Sequence, residues 1–402
     1  GVAQLVFGSR KGTRAKFGHA LCGRGRMNRI YLDYNATAPI RPAVQNAVAQ
    51  ALELGNPSAV HAEGRRARAA VEQARASLAE FVGGEPEGVV FTSGGTEACN
   101  LALGLRAAPA GELERVLVST IEHAAVRQAA AVSGLGVEDL PVNSDGVIDM
   151  AALDAALSTS APALVCVMVA NNETGVLQPI REIAERVTAH GSILFCDGVQ
   201  AAGKIPLSVE DLGCDALAVS AHKIGGPMGV GALVVRAGLV VPPSVAGGGQ
   251  ELGRRGGSEN VSGIVGFGLA AELSAGELAL GAALAGKRDR MEADLRAAMP
   301  NVCIFGADAP RLPNTSCFGL SGLHGETVVM ALDLANISVS AGAACSSGKV
   351  SRSHVLDAMG VEHDVSNGAI RVSLGRDTND AAVDLLVENW LKLAAKLEHA
   401  AV

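Results

Sequence analysis

Six short, almost purely apolar runs constrain this chain more than any other feature. They are GVVFTSGG (88–95), RVLVSTIEH (115–123), ALVCVMVANNETG (163–175), SILFCDGVQ (192–200), DALAVSAHK (215–223) and GALVVR (231–236). Runs this short and this uniformly apolar suit strands covered on both faces, as in a parallel or mixed sheet between helical layers. Stretches of helical period alternate with them. Over 63–82, Ala67, Ala70, Val71, Ala74, Leu78 and Phe81 fall on one stripe, and Gly83-Gly84 supplies the stop. The economical architecture is α/β.

Polar residues close these runs in a consistent way. Ser93 and Thr96 follow the first, His123 the second, Asn171 and Asn172 the third, Asp197 the fourth, and Ser220, His222 and Lys223 the fifth. In open α/β sheets, ligands bind in the crevice beyond the carboxyl ends of the strands. Five successive strand ends carrying His, Asn, Asp and Lys therefore predict one shared site.

Bulk properties bound the rest. A length of 402 residues favours two domains, and 49% hydrophobic with 18% charged residues is a globular composition. A net charge of −8 gives no support to direct nucleic-acid binding. The most apolar long stretch, 261–286, is interrupted by Glu272 and Glu277, so no membrane span is expected. The eight cysteines form no CxxC pair and show no metal-ligand spacing, so no metal is expected and most read as reduced core thiols of a cytoplasmic protein. Residues 1–27 hold six Lys or Arg and no acidic residue. They read as a disordered basic leader, or an extension ahead of Met27, with no part in the chemistry.

The chemistry narrows further. FTSGGTEACN ends a strand in small residues and opens a helix near Thr96, which suits a phosphate at the helix head. Neither a G-x-x-x-x-G-K-[ST] nor a strand-to-helix G-x-G-x-x-G accompanies it, which disfavours a nucleoside triphosphate or a dinucleotide. Lys223, flanked by polar residues and glycines in SAHKIGGPMGVG, is either a solvated loop lysine or an amine able to form a Schiff base. Asp197, straight after an apolar strand, is either a helix N-cap or the partner of a protonated pyridine nitrogen. Phosphate site, reactive lysine and pairing aspartate are together the requirements of pyridoxal 5′-phosphate (PLP), with His123 available to stack on its ring.

At this point the sequence resembles the PLP-dependent cysteine desulfurases of the class V aminotransferase family, in the branch serving iron–sulfur cluster assembly and nitrogen fixation. The resemblance runs from about Ile30 through IRVSLGRDTND. It rests on YLDYNATAP, NPSAVHAEG, FTSGGTEACN, IEHAAV, NNETGVLQPI, CDGVQAAGKIP, SAHKIGGPMGVG, GGGQELGRRGGSEN, AGAACSSG, SHVLDAMG and IRVSLG. It implies a fold-type I PLP-dependent transferase: a large, mainly parallel, seven-stranded sheet domain over 43–279, and a smaller α+β domain made of 28–42 and 280–402. It also implies a homodimer, L-cysteine as substrate, and a sulfur-acceptor protein such as an iron–sulfur scaffold.

Carried over motif by motif, Lys223 would hold PLP covalently and move substrate protons. Asp197 would pair with the pyridine nitrogen, Gln200 would bond the ring hydroxyl, and His123 would stack on the ring and assist in acid–base steps. Gly95, Thr96, Ser220 and His222 would bind the phosphate, with Ser258 reaching the phosphate of the partner subunit. Asn35, Asn172 and Arg371 would hold the amino-acid substrate. Ser258 stands where many members have threonine, Gly95 where alanine is frequent, and Cys99 where asparagine is frequent.

Cys345 sits in SVSAGAACSSGKVSRSH, where between Val339 and Val350 Lys349 is the sole bulky side chain. The resemblance identifies it as the nucleophile that takes the substrate sulfur as a persulfide and passes it on, leaving L-alanine. Flanks of Ser, Gly and Ala predict a mobile loop suited to that transfer. Open alternatives are a selenocysteine lyase or aminotransferase on the same scaffold, or an inactive cluster-assembly scaffold.

Overall fold

The computed structural model describes residues 29–107, 113–158, 161–342 and 352–400. Seven strands form the large sheet: β1 (Val89–Thr92), β2 (Arg115–Ser119), β3 (Gly136–Leu140), β4 (Ala163–Cys166), β5 (Ile193–Asp197), β6 (Ala216–Ser220) and β7 (Gly231–Val235). Their order is β1-β7-β6-β5-β4-β2-β3. The five strands from β6 to β3 run parallel, while β7 is antiparallel to both of its neighbours. The reason lies in the connections. Parallel neighbours need a crossover of a dozen or more residues, whereas β6 returns to β7 through residues 221–230 alone.

Six of the seven strands are buried along their whole length, as the apolar runs require. Alternation shows on both faces. In β5, Leu194 and Cys196 join one core cluster while Ile193 and Phe195 join the other. Strand β3 is the exception: it closes the sheet edge, and the first four residues of its GVEDL sequence are exposed.

The helical stripe forms α1 (Ala62–Phe81), which buries Ala67, Val71, Ala74 and Leu78 and leaves Ala70 and Phe81 half-buried. It ends where Gly83 turns left-handed at φ 56°. Its partner is α2 (Val261–Gly276), whose Gly268 lies so close that an added Cβ would meet the Cα of Ala74 at 2.7 Å. This apolar stretch is a core helix, and among the described residues no single helix is long and apolar enough to cross a membrane.

The remaining strands build a four-stranded antiparallel sheet from Cys303–Ile304, Thr315–Gly319, Ile370–Ser373 and Ser340–Ala341. The N-terminal segment joins this region: Ile30–Tyr31 pairs with Ile337–Ser338, and Asp33 bridges to Ser373. A core of Leu32, Met291, Phe318, Trp390 and neighbours lies beneath, with the Phe318 and Trp390 rings edge to face at 5.4 Å. Residues 33–41 thus leave the small sheet and cross directly over the carboxyl ends of the large one.

Candidate active site

The carboxyl ends of β1, β2, β4, β5 and β6 surround a cavity of ≈ 250 Å³. Gly95, Thr96, His123, Asn172, Asp197, Gln200, Ser220, His222 and Lys223 line it, so nine residues singled out from the sequence meet in one place. On one side lies the head of α3 (Gly95–Ala102). The approach there is close: a Cβ on Gly231 of β7 would meet the Gly94 carbonyl carbon at 2.6 Å, so only glycine lets β7 pass beneath that turn.

Asp197 ends β5 and is buried. Its Oδ1 accepts from the Val199 amide at 2.9 Å, the one side-chain hydrogen bond that Asp197 makes among the described residues. Burial pushes its carboxyl above the ordinary range, against the opposing influence of His123, the Val199 N–H and Lys223. A carboxylate so placed calls for a cation on the cavity side. His123 caps α4 (Ala124–Val132), and its Nδ1 accepts from the Ala125 amide at 3.1 Å. In the neutral ring the proton therefore sits on Nε2.

Strand β6 runs into a tight turn over Ala221–Lys223, which lifts Lys223 from the sheet end. Its Nζ donates to the backbone carbonyls of Asn35 at 2.6 Å and Ala36 at 2.9 Å. His222 packs against Thr37, with Nδ1 3.2 Å from Oγ1. Burial, reinforced by the charge of Lys223, pushes the His222 ring down to about 4, so it is neutral near pH 7.

The crossing segment also gathers the expected substrate residues. Asn172 offers its backbone oxygen both to Asn35 Nδ2 at 3.3 Å and to an Arg371 guanidinium nitrogen at 2.9 Å. Arg371 is buried and pairs with Asp33 at 2.8 Å. Asn35 is committed on all sides: Nδ2 also donates to Thr315 Oγ1, and Oδ1 accepts from Lys204 and Asn314. Asp33, Lys204 and Thr315 were not singled out from the sequence. Asp33 and Lys204 do lie inside YLDYNATAP and CDGVQAAGKIP, and the spacing of Gln200 and Lys204 by four was the available signal.

Asn35 and Arg371 lie in that network and do not line the cavity itself, and two further expected residues fall elsewhere. Ser258 lines a separate cleft with Ser93, Glu251 and Arg255 and does not line the Lys223 cavity of its own chain. Cys345 lies outside the described residues. Cys99 does line the cavity, but it is buried in α3, and burial followed by the charges of Asp197 and Glu122 pushes its thiol well up. No disulfide occurs among the described residues.

Comparison with known proteins places this architecture. The family model for aminotransferase class-V matches residues 30–386. The chain belongs to the aminotransferase class-V family. It is 42% identical over 369 residues to a cysteine desulfurase of Cereibacter sphaeroides, covering 90% of this chain and 95% of that protein. It is 41% identical over 377 residues to a cysteine desulfurase of a Nostoc species, covering 92% and 94%. Among solved structures, a NifS-like protein from Rickettsia africae superposes with a TM-score of 0.82 at 32% identity, over 91% of this chain and 99% of that one. The fold is fold-type I, and the family's cofactor is PLP.

The residues present fit that cofactor. Asp197 supplies a buried carboxylate with an unfilled need for a cation, matching a protonated pyridine nitrogen. Lys223 would supply the amine, the Nε2 side of His123 the ring neighbour, and the α3 head with Thr96, Ser220 and His222 the donors for a phosphate; all of them line the one cavity.

Proposed function

We infer that this chain is a cysteine desulfurase, converting L-cysteine to L-alanine and taking the sulfur onto Cys345 before passing it to an acceptor protein. The observation that carries the reading is the meeting of Lys223, Asp197 and His123 in one cavity at the strand ends. PLP, when bound, supplies the electron sink that makes the substrate α-proton removable.

The chain's own residues do the rest. Asp197 would hold the ring nitrogen in its cationic form, from a buried position at the end of β5. The Lys223 amine, held over the cavity by the carbonyls of Asn35 and Ala36, is placed to take and return the proton at the substrate carbon. Asn35, Asn172 and Arg371 converge on the substrate end, Arg371 oriented by Asp33. The Cys345 thiolate attacks the substrate sulfur; the C–S bond breaks, its electron pair stays with the carbon skeleton, and a persulfide remains on Cys345. Proton return gives L-alanine.

The reading extends to a cytoplasmic homodimer in which Ser258 of each chain completes the phosphate site of the other. Its absence from the cavity of its own chain fits that arrangement. The acceptor is a sulfur-accepting protein, an iron–sulfur cluster scaffold in the branch the Cys345 segment resembles. Lys223→Ala tests the core assignment. Borohydride-trappable PLP should vanish at residue 223, and alanine formation should fall by at least ~10²-fold; near-normal turnover in that variant would sink the assignment.

A further inference from the structure

Lys204 is a second amine in the same network, and nothing in the chemistry above uses it. Its Nζ donates to Gln200 Oε1 at 2.6 Å and to Asn35 Oδ1 at 2.7 Å. Both acceptors are neutral, and among the described residues no carboxylate pairs with it. Asn35 in turn holds Lys223 through its backbone oxygen, and Gln200 Nε2 donates to that same oxygen at 3.0 Å. One residue, Asn35, therefore bridges two lysines.

We propose that Lys204 is a positioning residue of this site, fixing the amides of Asn35 and Gln200 and, through them, the carbonyl that holds Lys223. A donor cannot accept, so Lys204 forces both amide oxygens toward itself and both amide nitrogens away. That alignment directs Asn35 Nδ2 to Thr315 and Asn172, and Gln200 Nε2 to the carbonyl that holds Lys223. Burial, then the charges of Lys223 and Arg371, pushes the Lys204 ammonium well below the lysine range.

The inference rests on the proposed role of Lys223, and the test separates the two. Protein stripped of PLP is mixed with PLP across a pH series, quenched early with borohydride, and the reduced adduct at residue 223 is quantified by peptide mass spectrometry. Wild type, Lys204→Met and Lys204→Gln are compared. Gln keeps an amide donor but no charge, and effects of pH on PLP itself are common to all three. Capture at Lys223 in the early quench should fall about fivefold in Lys204→Met, the loss of about one hydrogen bond's worth of alignment, and Lys204→Gln, which keeps a donor, should recover part of it. Capture in Lys204→Met equal to wild type, or no recovery in Lys204→Gln, overturns the positioning role of Lys204. No trapped Lys223 peptide in wild type at any pH would overturn the role of Lys223 instead.

Discussion

His222 shows how the site's environment can be read in a titration. The native ring, pushed down to about 4, stays neutral through a range in which the unfolded ring, near its ordinary 6.5, takes up a proton. Between those values the unfolded state binds more protons, so stability falls as pH drops. His354 is shifted in the same direction, by burial first, and adds to the loss. Without PLP, the urea midpoint should therefore drop between pH 7 and pH 5, and His222→Asn should lose less over that interval than wild type. An equal drop in both would show that His222 is not desolvated as the structure has it. At this scale Lys223, Asp197 and His123 were legible because each follows an apolar run directly. Lys204, Asp33 and Thr315 were not, because their importance comes from contacts across 169, 338 and 280 positions of sequence.

Among the elements, the loop carrying Ser258 is held by one buried ion pair. Glu251 sits at φ 48°, a conformation few side chains adopt, and its carboxylate accepts two bonds from Arg75 of α1, each 2.9 Å, and one from the Phe91 amide of β1. Arg75 also stacks over the Phe91 ring at 4.9 Å. Removing one partner leaves the other charge buried and uncompensated, so Arg75→Ala should cost about 3–5 kcal/mol in chemical denaturation. A loss under ~1 kcal/mol, the range of a surface pair, would contradict this account of the loop. Six of the seven strands of the large sheet were legible as apolar runs covered on both faces. The seventh, β3, escaped because its first four residues are exposed at the sheet edge, and GVEDL, with two acidic residues, shows no apolar run. The reversal of β7 is equally silent in composition. It follows from the ten-residue return between Ser220 and Gly231, too short for a crossover.

For the whole molecule, the account requires two chains. Ser258 lies in its own cleft, away from the Lys223 cavity, so a phosphate-binding role needs a neighbouring copy. Light scattering should give twice the chain mass, and Ser258→Ala should release PLP about tenfold more readily, the loss of one hydrogen bond to a charged group. A monomer retaining PLP as tightly as a dimer would refute the shared site. The large, mainly parallel sheet was legible from the apolar runs and from the resemblance carried by long motifs. The small sheet was less so, since two of its four strands are two residues long and no periodicity can show in them.

The central claim is that PLP chemistry at Lys223 delivers sulfur to Cys345. The direct measurement is L-alanine formed from L-cysteine, with excess reductant, by wild type and Cys345→Ala side by side, PLP content being checked in both. The account predicts alanine from wild type and almost none from the variant, with PLP retained equally. Equal alanine from both would show that Cys345 does not receive the sulfur, and none from either would show that L-cysteine is not the substrate.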